Sequence, residues 1–295
     1  MRPRGTNMKL TASAALLATT ILCLASVRPA TAASTPFFFS TGNPDGLIAT
    51  ATRPDTGAPF EIESADDFVL STGTSITSAT FTGLIPVGVA LSDVKNVVVE
   101  IYRVFPADSD VSRTSGPPTF STSQVPTRVN SPSDVAFDSR DSSSGLSFTV
   151  SQLAASFKAS NSVQPGGIGI KTGGDGPVTG QEVEIDASFS DPVSLPADHY
   201  FFVPQVELNS GDFLWLSAAR PISGGTGPFL GDLQSWTRDD PSLAPDWLRV
   251  GTDIVGAGAF NATFSLTGAT IPEPASLLVL GTAVAGLGLL RRRNA

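Results

Sequence analysis

Residues able to do acid, base or nucleophilic chemistry are scarce in this 295-residue chain, which has one histidine and one cysteine. His199 precedes an aromatic stretch, but neither a Gly-x-Ser-x-Gly motif nor a cysteine accompanies it to supply the nucleophile that a catalytic histidine serves. The single cysteine, Cys23, excludes disulfide frameworks and cysteine-based zinc or iron–sulfur sites. The sequence therefore favours a structural histidine at a strand end and a protein that is not an enzyme.

Carboxylates on one predicted strand are the other candidates for acid–base chemistry. Glu182, Glu184 and Asp186 lie on one strand face, spaced by about 7 Å, a separation that glycosidase carboxylates use. The string Glu184-Ile185-Asp186 resembles the start of the E-I-D-x-x-E site of laminarinase-like hydrolases, but Phe189 stands where that site has its second glutamate. Since any water-facing strand can carry alternating acids, the sequence favours a solvated sheet face here.

Two further candidate sites lie in polar stretches. Asp108 and Asp110 begin a segment that resembles an EF-hand loop, although the glycine at its sixth position and the glutamate at its twelfth are missing. They are candidate ligands for a structural Ca²⁺ ion, and no other cofactor is expected. Trp236 and Trp247 stand among Gly, Asp and Pro, where exposed rings could stack on sugars. The sequence favours the alternative, in which both rings anchor loops or belong to the core, because buried tryptophan is the commoner case.

Charge and apolar content limit the class of protein further. The chain is 41% hydrophobic, with 18 Phe and 3 Trp, so it can bury a core. Residues 33–270 hold 11 basic and 26 acidic side chains, a net charge of −15. An acidic surface of this size disfavours nucleic acid or anionic lipid as a partner.

Apolar and polar residues alternate with a period of two in much of the region 33–270, which is typical of half-buried strands. The alternation is clearest in residues 79–85, 181–190 and 260–267, whereas 96–105 is apolar on both faces and predicts a central strand. Gly, Pro, Asn, Asp and Ser separate the segments. This pattern predicts an all-β fold, a two-sheet antiparallel sandwich that is jelly-roll-like.

The same pattern supports finer expectations. Residues 199–208 and 213–216 are predicted to form a hairpin, in which Pro204 marks a bulge or an edge position. Only residues 150–158 have a convincing helical pattern. Long polar stretches, above all 106–145, predict loops that exceed what a tight sandwich requires.

The first 32 residues have the layout of a secretory signal peptide. A basic start is followed by an apolar run over 10–27 and by Ala30-Thr31-Ala32, a typical cleavage site. The apolar run is short and diluted by Ser and Thr, which disfavours a membrane-spanning helix. We therefore expect export by the Sec machinery and cleavage after Ala32, which would also remove Cys23.

An uncharged stretch at residues 275–290 is followed at once by Arg291, Arg292 and Arg293. As a helix it would be about 24 Å long, against a hydrocarbon core of about 30 Å, and snorkelling and bilayer thinning can make up the difference. The arginines favour a cytoplasmic C-terminus, which would leave residues 33–270 outside.

Pro272, Glu273 and Pro274 stand just ahead of that stretch. Pro-Glu-Pro, a short apolar helix and an arginine cluster, in this order over residues 271–295, resemble the PEP-CTERM sorting signal. The resemblance implies that exosortase, a membrane-embedded enzyme, reads Pro272–Pro274 and cuts near them, with the arginines as the stop signal. Two prolines keep such a peptide extended, because they lack the N–H groups that a helix or strand needs. A simple helix cap with permanent anchoring is the alternative.

Taken together, these features predict an exported, non-enzymatic protein of the cell surface or extracellular matrix. By the resemblance, the host is a Gram-negative bacterium that makes exopolysaccharide or biofilm matrix. An intermediate anchored in the inner membrane through residues 275–290 is expected before processing by exosortase, and exopolysaccharide is a further expected partner. The alternative is a carbohydrate-binding or carbohydrate-active β-sandwich.

Overall fold

A computed structural model of the chain describes residues 33–57, 59–107, 129–221, 232–239 and 247–272. The predictions for the signal peptide, for Asp108 and Asp110, and for every sorting residue from Glu273 onward fall outside the described residues. Ser34–Ile271 form one compact unit. No helix in the described ranges is both long and apolar enough to cross a bilayer.

The described residues form fifteen strands, one 3₁₀ turn at Leu91–Asp93 and one π-helical turn at Val250–Val255. The strands in chain order are β1 (Pro36–Ser40), β2 (Pro44–Ala51), β3 (Ile62–Leu70), β4 (Thr74–Ile85), β5 (Val94–Arg103), β6 (Asp138–Asp141), β7 (Leu146–Ala159), β8 (Asn161–Val163), β9 (Val178–Leu195), β10 (Asp198–Leu208), β11 (Leu214–Ala218), β12 (Trp236–Asp239), β13 (Leu248–Arg249), β14 (Asn261–Ala262) and β15 (Phe264–Thr270).

These strands are arranged in two sheets. Sheet I has nine strands in the order β1-β15-β4-β11-β2-β8, with β14 paired to β11, β9 paired to β4, and β7 paired to β9. Sheet II has six strands in the order β13-β12-β3-β10-β5-β6. Among the described strands, all pairings are antiparallel except that of β2 with β8. The prediction of an all-β fold with two mainly antiparallel sheets is confirmed.

Aromatic side chains fill the space between the two sheets. The Phe202 ring of sheet II stacks on Phe264 of sheet I with a centroid distance of 4.9 Å, and its edge meets Phe81 at 6.1 Å. Gly83 of β4 makes room for one further ring, since a Cβ there would lie 2.2 Å from Phe213 Cζ. Such rings contribute large buried areas and favourable edge and offset contacts.

The predicted alternation on β9 is confirmed. Val183, Ile185 and Ala187 are fully buried, whereas Glu184 and Asp186 alternate with them and lie on the opposite face of sheet I. The strand predicted at residues 96–105 is β5, which is hydrogen-bonded to β10 on one side and to β6 on the other. Two-residue periodicity therefore located β9 correctly, and the run that is apolar on both faces located β5.

The helix predicted at residues 150–158 is wrong, because these residues belong to β7. The β7 ladder on β9 shifts register between Gln152 and Ala154 and again between Ala154 and Phe157. Val150, Ala154 and Phe157 are the partly buried positions of this stretch. Bulges insert extra residues into a strand, and here they produce a spacing of four and three that imitates one face of a helix.

The hairpin predicted between 199–208 and 213–216 is also wrong. β10 lies in sheet II, where it pairs with β5 on one side and, over Asp198–Phe202, with β3 on the other. β11 instead lies in sheet I against β2 and β4. Pro204 does occupy an edge on one side, since the pairing of β10 with β3 ends at Phe202, where a missing N–H costs the ladder nothing.

Candidate functional site

A buried network of charged side chains lies on the outer face of sheet II, opposite the inter-sheet core. Arg238 of β12 stands directly across from Glu63 of β3 in the strand register. Glu100 and Tyr102 of β5 alternate with core residues and so point to the same outer face. Glu61, which comes just before β3, completes what we call the Glu–Arg network: Glu61, Glu63, Glu100, Tyr102 and Arg238.

Short hydrogen bonds join the members of the network. The Arg238 Nε–H donates to Glu63 Oε2, and the Tyr102 hydroxyl lies 2.5 Å from Glu63 Oε1 and 3.0 Å from Glu100 Oε2. Gln205 of β10 donates from Nε2 to Glu61 Oε1 at 2.8 Å. Glu63 is 1% exposed and Arg238 is 4% exposed, so this ion pair is largely removed from water.

The hydrogen-bond pattern indicates the protonation state of Glu100. Burial, and then the negative charge of Glu63, raise the pKa of Glu100 to about 7. The Tyr102 hydroxyl has one proton and cannot donate to both glutamates. A neutral Glu100 resolves this, because it can donate to Tyr102 Oη while Tyr102 donates to Glu63.

The ion pair itself is charge-balanced. Burial alone would lower the pKa of Arg238, but the charge and hydrogen bond of Glu63 outweigh it and raise that pKa. The carboxylate oxygens of Glu61, Glu63 and Glu100 approach within 4.8 Å of one another, and oxygen ligands suit Ca²⁺. The carboxyl groups of Glu61, Glu63 and Glu100 are hydrogen-bonded to Gln205, Arg238 and Tyr102, respectively. The calcium prediction at Asp108 and Asp110 stays a prediction.

Trp236 and Trp247, the two candidate sugar-binding residues, are both buried. Trp247 is 0% exposed, its ring lies 4.5 Å from the Arg238 guanidinium, and its Nε1–H donates to the Ser133 carbonyl at 3.2 Å. Trp236 is 3% exposed, and its ring lies 5.9 Å from the Arg249 guanidinium. The rings are therefore placed as the core or loop-anchoring interpretation expects, and neither is an exposed surface for stacking on a sugar. The indoles cover the outer face of sheet II, where a cation above an aromatic face is stabilised.

We expect acrylamide to quench the tryptophan fluorescence of the folded protein poorly. The three tryptophans of the chain, Trp215, Trp236 and Trp247, are at most 3% exposed, so a neutral quencher cannot reach them. Urea-unfolded protein is the control and should be quenched efficiently. Efficient quenching of the folded state, or a shift in its emission on adding glucose oligomers, would contradict the burial of these rings.

His199 has a carboxylate partner that sequence reasoning missed. Its Nε2 lies 2.6 Å from Asp67 Oδ2, and the ring stacks beside Phe201 with an interplanar angle of 14°. Asp67 Oδ1 accepts a hydrogen bond from the Leu233 N–H at 2.8 Å. Nδ1 of His199 has no hydrogen-bond partner among the described residues. The pair thus joins β10, β3 and the segment before β12, which is a structural task.

The acidic face of β9 brings no second catalytic group to Glu184 and Asp186. Asp186 Oδ1 accepts a hydrogen bond from Thr80 Oγ1 at 2.8 Å, and burial raises the pKa of Glu184. Phe189 is 8% exposed and packs in the core between the sheets. Glu184 and Asp186 therefore belong to the outward face expected for this strand, whereas Glu182 on the same face is only 9% exposed and so is not solvated as predicted.

Glu63, Glu100 and Arg238 carried no motif that could have singled them out, and Glu63 and Arg238 are 175 positions apart. No protein-family model, curated protein or solved structure matches the chain. Function is therefore argued from the chemistry of the chain itself.

Proposed function

We propose that this chain is an exported, non-enzymatic protein of the cell surface or extracellular matrix, and that residues 271–295 act as its PEP-CTERM sorting signal. The observation that carries the proposal is the order of Pro272-Glu273-Pro274, the uncharged stretch 275–290 and the arginines 291–293. The signal peptide, the membrane-spanning sorting helix and the jelly-roll-like classification of the sandwich are parts of the same proposal.

The position at which the β-sandwich ends supports this interpretation. The first and last strands, β1 and β15, pair with each other, and the Thr270 N–H donates to the Thr35 carbonyl at 2.9 Å. The Ile271 N–H donates to the Gly73 carbonyl at 2.7 Å. A cut at or after Pro272 would break none of these hydrogen bonds. The processed protein would therefore keep its described fold.

Buried acid–base groups are paired with each other within the fold, which supports a non-enzymatic role. Glu63 is paired with Arg238, and Asp67 is paired with His199, so these groups hold strands together. The net charge of −15 for residues 33–270 favours solubility outside the cell. Exosortase is the proposed processing partner, and exopolysaccharide is the proposed matrix partner.

We expect the protein isolated from a host with exosortase to lack its three terminal arginines. Intact-mass spectrometry of the exported protein should give a C-terminus near Pro272–Pro274. Replacing Pro272, Glu273 and Pro274 together by alanine should abolish this cut, because the extended recognition element is lost. The variant should then accumulate in the inner-membrane fraction.

Two controls separate the possible results of this experiment. In a host without exosortase, the wild-type chain should keep its tail and resemble the alanine variant. A substitution inside the apolar stretch, Ser276→Ala, should leave processing unchanged. Recovery of the exported wild-type protein with Arg291–Arg293 intact would refute the sorting proposal.

The alternative function is a carbohydrate-binding or carbohydrate-active sandwich. The burial of Trp236 and Trp247 removes the rings on which this alternative first depended. One observation still favours sugar binding, namely a cleft on a different edge of the sandwich, around Arg220.

A further inference from the structure

A cleft of about 280 Å³ opens at the edge of sheet II where β12 stops covering β3. The ladder between these strands ends at Ala65, so the following residues of β3 border the cleft. The polar groups that line it are Thr41, Asp67, Arg220 and Asp232, and Phe39 supplies an aromatic wall. The cleft therefore combines one cation, two carboxylates and apolar surface.

Arg220 differs from the other described arginines in its partners. Five of the six described arginines form an ion pair with a carboxylate, and these are Arg53, Arg103, Arg140, Arg238 and Arg249. Arg220 forms none with the described residues. Residues 222–231, which follow it in the sequence, contain no acidic residue. In a region with a net charge of −15, an arginine without a carboxylate partner is unexpected.

Other contacts hold the Arg220 guanidinium at the cleft. It lies over the Phe39 ring, 5.1 Å from the centroid, and Nη1 donates to the Ser40 carbonyl at 2.9 Å. A guanidinium has five N–H donors, so most of them remain for a ligand. Its planar fork matches a carboxylate with two parallel hydrogen bonds.

The two carboxylates of the cleft are held in place by neighbouring groups. Asp67 contacts His199 and the Leu233 N–H, and Asp232 accepts a hydrogen bond from Asn261 Nδ2 at 3.2 Å. The Asp67 side chain is 1% exposed, so Asp232 is the carboxylate that can accept a hydrogen bond from a ligand. Both carboxylates would repel a ligand that carries only negative charge. Asp232 could accept a hydrogen bond from a ligand that also carries hydroxyl groups.

We propose that this cleft binds a sugar acid, a pyranose ring with one carboxylate and several hydroxyls. The carboxylate would pair with Arg220, a hydroxyl would donate to Asp232, and the apolar face of the ring would lie against Phe39. The volume of about 280 Å³ accommodates one such ring. The inference depends on the cleft alone, so it and the sorting proposal can fail separately.

Ligand-observed NMR titration of the full chain in mild detergent tests this proposal. D-glucuronate should bind, and D-glucuronamide, which has the same ring without the charge, should bind roughly tenfold or more weakly, as expected when a charged hydrogen bond is lost. Arg220→Gln should weaken glucuronate binding by a similar factor. Arg220→Lys keeps the charge but not the planar fork, so its affinity for glucuronate should lie between the wild-type affinities for glucuronate and for glucuronamide. It is the second variant to use if Arg220→Gln fails to fold.

Arg103 offers a matched control. Its guanidinium also lies over a phenylalanine, 4.9 Å from the Phe137 centroid, but it pairs with Asp198 and does not line the cleft. Arg103→Gln should bind glucuronate like the wild type. Equal binding of glucuronate and glucuronamide, tighter binding of acetate or L-alanine than of glucuronate, or no glucuronate binding at millimolar concentration would each overturn the proposal.

Discussion

Replacing Arg238 by alanine is expected to lower the free energy of unfolding by about 3–5 kcal/mol. The substitution leaves Glu63, which is 1% exposed, without the cation that balances its charge. It also removes the guanidinium, whose Cζ lies 4.5 Å from the centroid of the Trp247 ring. Urea denaturation of the purified protein, followed by circular dichroism, measures the change.

The loss of stability should arise mainly because Glu63 keeps a buried charge without a partner, and less because the attraction to Arg238 is gone. Removing one partner of a buried ion pair is costly, whereas replacing both partners by neutral groups of similar volume is often tolerated. The double variant Arg238→Met with Glu63→Gln should therefore recover much of the stability that Arg238→Ala loses. Such a recovery would separate the cost of burying a charge from the loss of side-chain packing.

A surface pair provides the control for this experiment. Lys95 and Glu207 lie 3.6 Å apart, and the Lys95 side chain is 51% exposed. Lys95→Ala should change the free energy of unfolding by less than about 1 kcal/mol. If Arg238→Ala costs no more than Lys95→Ala, the buried network does not stabilise the fold as inferred.

Glu100→Gln is expected to make the stability of the protein less sensitive to a rise in pH from about 4.5 to about 7. Burial and the charge of Glu63 raise the pKa of Glu100 from 4.5 to about 7, so the folded state binds a proton that the unfolded state releases. The stability contributed by this proton is complete below about pH 4.5 and is lost as the pH rises through about 7. Glutamine stays neutral throughout and lacks this dependence.

The size of the effect follows from the shift in pKa. Each unit corresponds to about 1.4 kcal/mol, so the stability of the wild type relative to Glu100→Gln should fall by about 3 kcal/mol between about pH 4 and pH 8. Urea titrations of both proteins across this range give the difference curve. A difference that does not vary with pH would contradict the raised pKa of Glu100.

Asp141 supplies a control of opposite sign. A hydrogen bond from the Ser143 side chain, together with those from the Ser143 and Ser144 backbone N–H groups, lowers the pKa of the Asp141 carboxyl. Its contribution is present above the unfolded pKa and is lost only as the pH falls through the folded pKa. The difference between wild type and Asp141→Asn should therefore be flat between pH 5 and 8, where the Glu100→Gln difference changes most.

Local sequence patterns were sufficient to predict the strands that have one face in the core and the other outside it. On β9, Val183 and Ile185 alternate with Glu182 and Glu184, and the structure buries the first pair in the core. The reason is that successive side chains of a strand point to opposite faces. Where bulges interrupt the strand, as at Ala154 in β7, the local pattern indicated a helix instead.

The candidate site could not be found in this way. Glu63 and Tyr102 are 39 positions apart, and Glu63 and Arg238 are 175 positions apart. Their meeting depends on the order β12-β3-β10-β5 and on the register within it. The cleft at Arg220 likewise depends on where the β12 ladder ends on β3.

The sequence by itself determined the fold class and the candidate sorting signal, because two-residue alternation and a tripartite tail are local patterns along the chain. Only the tertiary structure decided that Trp236 and Trp247 are buried, that Glu63 pairs with Arg238, and that Arg220 lines a cleft without a carboxylate partner among the described residues. The physical reason is that burial and charge pairing depend on neighbours distant in the chain, which strand order and register bring together.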